Sequence, residues 1–557
     1  MLRGGRRVGA THYIQMEGVN MASFILDTED LSTIRGGGLL LLDAVYKVQD
    51  RFFQPDSGGD VLSTGASVGL FRFQGDEAAA DQLVRKIRKF LRAEYRHATL
   101  LVERVTATPG AFLRDRERLI ARIRRAQLAT PSLAVPTFPP DKTPRLGNQD
   151  NAVCALDHLR PAAGDERKMK GQSLPLSPST RCRRKHGVKQ KTDFYAEVLK
   201  RDLPGETALL ADLEATHFAL HFNHIAASQS WGPLNNKMAV LYLDGNRFSK
   251  SQNTVVRKAC AKFEGAKADE EAIAALRRFD ATVKANRARF LHAVLEQALE
   301  TGPNDDAWWF NTEHENRDDD DWDEKVSKRL RLETLLWGGD EIILVLPAWK
   351  GWEVARLFLN ESKCWSIDDQ PLDHALGLVF CHEKAPIHRV VSLARSLADH
   401  AKKAVGRDLS SLAYQVLESF DHIGADVAAR FADLCEGLDA HPRRLILTRE
   451  GVEALDQHMK PLRSEGGLPQ RQMKRLVRAL FTNHSIDNAK AANEEMALDK
   501  TFSEKTLKPL LAGLASGYRD LDESRERRGN ESWLAWYHIE QLWDYVSPSQ
   551  PGLEDRS

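Results

Sequence analysis

Two short acidic segments carry the residue types that metal-assisted phosphate chemistry needs. Asp244 ends the apolar stretch MAVLYL and is followed by Gly245 and Asn246, while Asp340 and Glu341 follow Gly338 and Gly339 between RLETLLW and EIILVLP. Mg2+ prefers oxygen ligands and is held by one or two carboxylates together with substrate phosphates. A pair of such ions (Mg2+ or Mn2+), about 3.5–4 Å apart, activates an attacking hydroxyl and neutralises a leaving pyrophosphate. Gly245, Gly338 and Gly339 would let the backbone approach a triphosphate with no Cβ in the way. Asn246 sits beside them, and Lys402 and Lys403, at the end of a helical pattern, would add positive charge at the same phosphates. The chemistry implied is nucleotidyl transfer, with Asp244, Asp340 and Glu341 as catalytic and metal-binding acids. A plainer reading exists for each piece alone, since Gly-Gly-Asp is what a tight hairpin turn demands.

The order of the surrounding elements favours the catalytic reading. KMAVLYLDGN reads as a strand, Val283 to Leu299 as a helix, RLETLLW and EIILVLP as a hairpin, Trp352 to Leu359 as a helix, HALGLVFCHE as a strand and Ile387 to Ala404 as a helix. This is the β-α-β-β-α-β order of a ferredoxin-like unit. Its first and third strands are neighbours, so the end of one strand and a hairpin turn can share an edge. The same order is expected upstream, from a strand at SFILDTED through a Gly-rich turn at Gly36 to Gly38, an amphipathic run through Leu39 to Val48, a hairpin at VLSTGASVGLFRF, a helix from Asp76 to Tyr95 and a strand at ATLLVERV. The expected divisions are a disordered leader at 1–22, a first unit at 23–130, a linker at 131–200, a second unit at 201–406 and an all-α domain at 407–557.

The linker holds two Cys-x3-His pairs, Cys154 with His158 and Cys182 with His186. Two thiolates and two imidazoles can close a tetrahedral Zn2+ site that staples a segment too small to have a core. Basic stretches at Arg85 to Arg92, Arg114 to Arg125 and Arg181 to Lys191 could face RNA phosphates, a partner subunit or plain solvent. The run Glu313 to Glu324 reads as a hydrated acidic loop.

Composition sets outer bounds. With 79 basic and 79 acidic residues there is no bulk attraction to nucleic acid or anionic membrane, so such contacts must be local. The apolar runs are far short of the roughly 20 residues of a membrane span. Six cysteines in 557 residues make no disulfide scaffold, and a cytoplasmic location is expected.

Several segments, taken in order, resemble one family: the large polymerase-like subunit of type III CRISPR effector complexes, Cmr-type, whose palm domains are related to GGDEF nucleotide cyclases. FILDTEDLSTIRGGGLLLLDAV looks like the start of that family's first palm. LYLDGNRF and LLWGGDEIILVLP look like the metal-binding segments of its second, and LGLVFCHEKAPIHRVVSLARSLADHAKKAVG is similar to the elements that complete it. The resemblance implies an α+β protein with two palms, a zinc module between them and a helical thumb-like domain. It implies an enzyme that joins ATP, or another NTP, into cyclic oligoadenylate as an antiviral second messenger, with other effector subunits and guide and target RNA as partners. The alternative is a scaffold subunit that has lost turnover. Glu341 stands where the family usually has a second Asp. The first palm's hairpin, STGASVGLFRF, has no paired acids, leaving Asp27 as its sole expected carboxylate, so that half is expected to be silent and to shape a second nucleotide site at the inter-palm interface. No His-Asp dipeptide marks a nuclease domain, and none is expected.

Overall fold

The computed structural model describes residues 10–54, 57–130, 153–162, 166–169, 172–206, 208–314, 325–407, 409–418, 426–438, 440–464, 467–496, 498, 500–516 and 533–548. Most of the expected acidic loop and much of the expected linker lie outside them.

The first unit begins earlier than its hydrophobic pattern suggests. Residues assigned to a disordered leader form strand β1 (Ala10–Gly18), which lies between β3 (Val68–Gly75) and β4 (Leu100–Thr106), antiparallel to both. With β2 (Gly59–Thr64) the sheet order is β2-β3-β1-β4. The strand is easy to miss because His12, Gln15 and Glu17 are buried along with Tyr13, Ile14 and Met16, so no apolar–polar alternation appears. Both faces are covered, and a strand covered on both faces loses the period-2 signal.

SFILDTED is correspondingly not a strand. Met21–Ile25 is a one-turn helix, and the chain then enters the long helix α1 (Leu31–Phe52). Asp30 caps α1 by accepting from the Thr33 N–H at 2.9 Å. The expected Gly36–Gly38 turn lies inside this helix. Glycine in a helix costs about 0.5–1 kcal/mol relative to Ala, and close packing compensates. A Cβ on Gly36 would sit 1.8 Å from the Arg183 carbonyl oxygen, and one on Gly38 would sit 2.9 Å from the Leu335 carbonyl. The bridging helix α4 (Pro178–Lys189) crosses α1 at Gly36, where its own Gly187 makes the reciprocal approach to Ser32.

Helices α2 (Glu77–Glu94) and α3 (Phe112–Ala129) carry the first two basic stretches and both flank β4, the edge strand of its sheet, while the third stretch lies largely on α4. Arg88 of α2 donates to the Val102 carbonyl at 3.1 Å, and Arg122 of α3 donates to the Arg104 carbonyl. Alternate outward-facing carbonyls of the edge are thus occupied, which blunts edge-to-edge pairing.

After α4, helix α5 (Lys191–Asp202) leads towards the second unit. There β5 (Lys237–Gly245), α6 (Phe248–Cys260), α7 (Gly265–Glu300), β6 (Glu333–Trp337), β7 (Glu341–Pro347), α8 (Ala348–Glu361), β8 (His374–His382) and α9 (Ile387–Ala404) follow the expected order. Two further strands correct the expected boundary at 406. β9 (Ser411–Val416) pairs parallel to β8 and β10 (Leu447–Thr448) pairs with β9, giving a six-stranded sheet β6-β7-β5-β8-β9-β10. The supposed all-α region therefore donates an edge to this sheet. Five of the six β9 residues are buried, and a short continuous apolar run does not separate strand from helix. Helices then dominate, among them Arg449–Arg463, Gln470–Phe481 and Leu534–Gln541.

The two units are held face to face. α7 crosses β2 and β3, with Arg72–Glu270 at 2.6 Å, Lys284 donating to Thr64 Oγ1 at 2.6 Å and an Arg277–Asp60 ion pair. Asp269 of α7 accepts from the N–H groups of Gly110 and Phe112 at 2.8 and 2.9 Å. Deeper, buried Arg35 of α1 bonds Glu333 of β6, with Nε to Oε1 at 2.7 Å, and also donates to the Gly187 and Ala219 carbonyls.

Candidate functional site

Register makes the two units equivalent at their hairpins. In the second, Asp244 at the end of β5 lies opposite Glu341 at the start of β7, and in the first, Glu17 of β1 lies opposite Val68 of β3. Glu17 therefore occupies the position of Asp244, and Gly65-Ala66-Ser67-Val68 that of Gly338-Gly339-Asp340-Glu341. Asp27, the carboxylate expected to be the first unit's ligand, lies elsewhere and is committed to Arg160 and Arg183. Glu17 is itself neutralised by Arg124 at 2.9 Å and accepts from Gln15 at 3.0 Å. The first hairpin thus lacks acids at its turn, as its sequence indicates.

Both hairpins line one cavity of about 290 Å3, in which Ser63 to Val68 face Gly338 to Glu341, with Phe248, Ser249, Gln252 and Asp280 completing the wall. Asp340 and Glu341 are on this wall. Asp244 is their close neighbour: the Gly245 N–H donates to the Asp340 carbonyl at 3.1 Å, and Asp244 and Glu341 share one face of the sheet as cross-strand partners.

Crowding of these acids shows in their electrostatics. Burial is the main force raising the Asp244 carboxyl to about 6, with Asp340 and Glu341 adding to it against the opposing pull of Lys402. Asp340 is raised as well, by burial and then by Glu341. Lys402, buried near the end of α9, pairs with Asp244 Oδ2 and donates to the Gly245 carbonyl at 3.1 Å. Two residues outside the expected site hold Glu341: the Tyr242 hydroxyl donates to its Oε1 at 2.9 Å, and Arg395 lies 3.7 Å from Oε2 and over the Tyr242 ring. Spacing could have found both. Tyr242 precedes Asp244 by two in a strand, and Arg395 precedes Lys402 by seven in a helix, so each pair shares a face.

Other expected site residues serve the scaffold. A Cβ on Gly245 would lie 2.2 Å from the Phe248 ring, so this glycine makes room for that packing rather than for a triphosphate. Gly338 is closed by its own hairpin, where a Cβ would be 2.8 Å from the Glu341 carbonyl, whereas Gly339 faces open space. Asn246 is buried, donating from Nδ2 to the Leu409 carbonyl and from its N–H to the Asp373 carbonyl. Lys403 is exposed, one residue and about 100° of helix away from the buried Lys402.

Whether these donors suit a divalent cation can be judged from their arrangement. Among the described residues no group of three or more His, Cys, Asp or Glu is placed to hold a metal ion. The three acids are adjacent but do not form a ready cage, since Lys402 occupies Asp244 and Tyr242 occupies Glu341. A set of two crowded carboxylates with raised pKa values still fits Mg2+ or Mn2+, which need few protein ligands when phosphates supply the rest.

The zinc donors do not fit. Cys154 is fully buried and donates from Sγ to Thr180 Oγ1 at 3.4 Å, while Cys182, two residues beyond Thr180 on α4, is exposed. His158 is exposed, and His186 lines a separate cavity beside Leu39 and Asp43. A tetrahedral site needs all four at one point. Asp157 is the hub of this segment instead. Its burial acts upward on the carboxyl, but hydrogen bonds from the Arg160 and Leu159 N–H groups, the Thr180 hydroxyl and the Arg160 side chain hold it down at about 2. A carboxyl depressed on folding contributes stability that is fully present above its unfolded value near 3.8 and is lost as pH falls through about 2. Resistance of the segment to proteolysis should therefore persist to below pH 4 and fail between there and pH 2, whereas a thiolate–imidazole site would already fail in the range where histidine protonates.

Comparison with solved structures places this architecture. A crystal structure of Csm1 in T.onnurineus superposes with a TM-score of 0.51 over 96% of this chain and 70% of that one, at 12% identity. The fold is that of Csm1. The apo Csm1-Csm4 cassette agrees, at a TM-score of 0.50, 13% identity, and coverage of 98% of this chain and 72% of the other. The Csm1 likeness extends over nearly all of the chain, taking in both sheets and the helical C-terminal part. No protein-family model matches, and no curated protein matches by sequence. Among the described residues no helix is long and apolar enough to cross a membrane.

Proposed function

We propose that this protein is a palm-type nucleotidyltransferase of the type III CRISPR large-subunit kind, joining NTPs, ATP foremost, into cyclic oligonucleotides. The observation that carries the reading is the shared cavity, in which the acidic turn of the second palm faces the acid-free turn of the first at the same register. One palm carries the acids and the other supplies a neutral wall, which suits one reacting nucleotide held against a second.

Asp244 and Asp340 would hold Mg2+ or Mn2+, which supplies activation of the attacking 3′-hydroxyl and charge neutralisation at the α-phosphate. The chain's own groups orient the reactants. Gly339 leaves its backbone open to phosphate, and Lys402, the buried cation beside Asp244, balances the acids and adds positive charge next to the triphosphate. Tyr242 and Arg395 keep Glu341 fixed beside them. The reading extends to a cytoplasmic assembly with a Csm4-like subunit and with guide and target RNA; the fold likeness supports the subunit and the sequence resemblance the RNA.

One observation favours a second reading, a scaffold without turnover: Lys402 already occupies the Asp244 carboxylate, and the acids form no ready cage. The two readings separate on incubating the purified chain with Mg2+ or Mn2+ and each labelled NTP, with and without RNA. Pyrophosphate and a cyclic product, both lost on chelation, are expected. Folded protein that makes neither from any NTP under either condition is a scaffold.

A further inference from the structure

We propose that the segment between the two palms is stapled by a buried carboxylate–guanidinium chain, Asp157–Arg160–Asp27–Arg183, and takes no zinc. The Cys-x3-His spacing suggests a metal, yet each of the four donors has a different surrounding. Cys154 is enclosed against Thr180, Cys182 and His158 face solvent, and His186 belongs to another cavity. Thr180 and Cys182 are two residues apart on α4, about 200° around the helix, so a helix that seats Cys154 against Thr180 turns Cys182 away.

The polar chain meets the demand that a metal otherwise meets in so small a segment. Asp157 accepts from the N–H groups of Leu159 and Arg160, both at 2.9 Å, closing the turn that begins at Cys154. It also accepts from Ser177 at 3.0 Å and Thr180 at 2.8 Å, which ties that turn to the first turn of α4, where a carboxylate is favoured by the helix dipole. Arg160 bridges Asp157, at 3.0 Å, to Asp27 at 2.5 Å. Arg183, fully buried, completes the chain at Asp27 and also donates to the Phe24 carbonyl and lies over the Phe24 ring. The bonds of Asp157 close the segment on itself, and those of Arg160 and Arg183 to Asp27 and Phe24 tie it to the chain just before α1, so the staple fixes α4 against the first palm. Buried charges persist only when paired and hydrogen-bonded, and these are. A chelator should then act on the palm cations alone, leaving the fold intact.

The proposal concerns folding and stands whether or not the palms turn over NTPs. The test uses the full chain, produced with zinc in the medium. Elemental analysis should find zinc far below one per chain, and excess EDTA should leave the melting temperature unchanged. Cys182→Ser should match the unaltered protein, whereas Asp157→Asn should raise the rate of proteolytic nicking between the palms by about tenfold or more, because it removes the charge on which Arg160, Ser177, Thr180 and two backbone N–H groups converge. If Asp157→Asn does not fold, Ser177→Ala, which removes one bond to the same carboxylate, takes its place with a smaller rise in the same direction. Zinc at one per chain that EDTA removes together with a fall in melting temperature overturns the proposal. So does an Asp157→Asn protein as resistant to protease as Cys182→Ser.

Discussion

Asp340→Ala should lower the rate of product formation by about a hundred- to a thousandfold, the scale on which removing a group that stabilises developing charge acts. Asp340 lines the cavity between the two hairpins, its carboxyl is desolvated, and its own backbone carbonyl pins the end of β5 at Gly245. The substitution leaves that carbonyl in place, so the hairpin keeps its register while the site loses a carboxylate. Relief of crowding provides a second readout. With Asp340 gone, one of the charges that raise Asp244 disappears, and the Asp244 carboxyl should titrate lower, towards the ordinary carboxylate range. Lys403→Ala is the matched control: it removes a basic residue from the same helix, but an exposed one, and should leave activity as it was. Activity that survives in Asp340→Ala, or that falls as far in Lys403→Ala, would move the chemistry elsewhere.

Arg35→Met should destabilise the protein by about 3–5 kcal/mol, the range for removing one partner of a buried ion pair. Arg35 and Glu333 are nearly inaccessible to solvent, at 2% and 1%, so removing the guanidinium leaves the Glu333 carboxylate desolvated without the partner that holds both of its oxygens. Lys191 is 3.7 Å away, but burial and then the neighbouring Arg35 hold its pKa well below the usual lysine range. Removing Arg35 lets Lys191 keep its proton more readily, so part of the loss should be recovered through it. The double substitution Arg35→Met with Glu333→Leu should be more stable than Arg35→Met alone, because it removes the stranded charge. Denaturant unfolding of the three proteins decides this. A single variant as stable as the parent would show that the contact contributes little. Since the pair joins α1 of the first unit to β6 of the second, its loss should also loosen the cavity between their hairpins.

How much of this was legible in the chain can be followed residue by residue. Ile387 to Ala404 was read as a helix with the bounds it has, and Asp244, Asp340 and Glu341 were read onto the strand end and turn where they lie. The signal there is local: apolar runs of strand or helix period, bounded by Gly and Asp, pack against their own neighbours. β1 was illegible because both of its faces are covered, so His12 on one face and Gln15 and Glu17 on the other are buried and the alternation vanishes. Gly36 and Gly38 read as a turn because the reason for them, the approach of α4 and of Leu335, comes from chain about 150 to 300 residues away. β9 needed its parallel partner β8 to be recognised as a strand at all.

The candidate site divides along the same line. Residue type and spacing alone determined that an acidic hairpin and an acid-ended strand occur in ferredoxin-like order, and that the first hairpin has no acids at its turn. Only the folded chain decided that Glu17, and not Asp27, matches Asp244, that Lys402 and not Lys403 faces it, and that Cys154 and Cys182 never meet. Periodicity reports which face of an element is buried, but which residue of a distant element fills that face is set by packing between elements, and packing has no counterpart in local spacing.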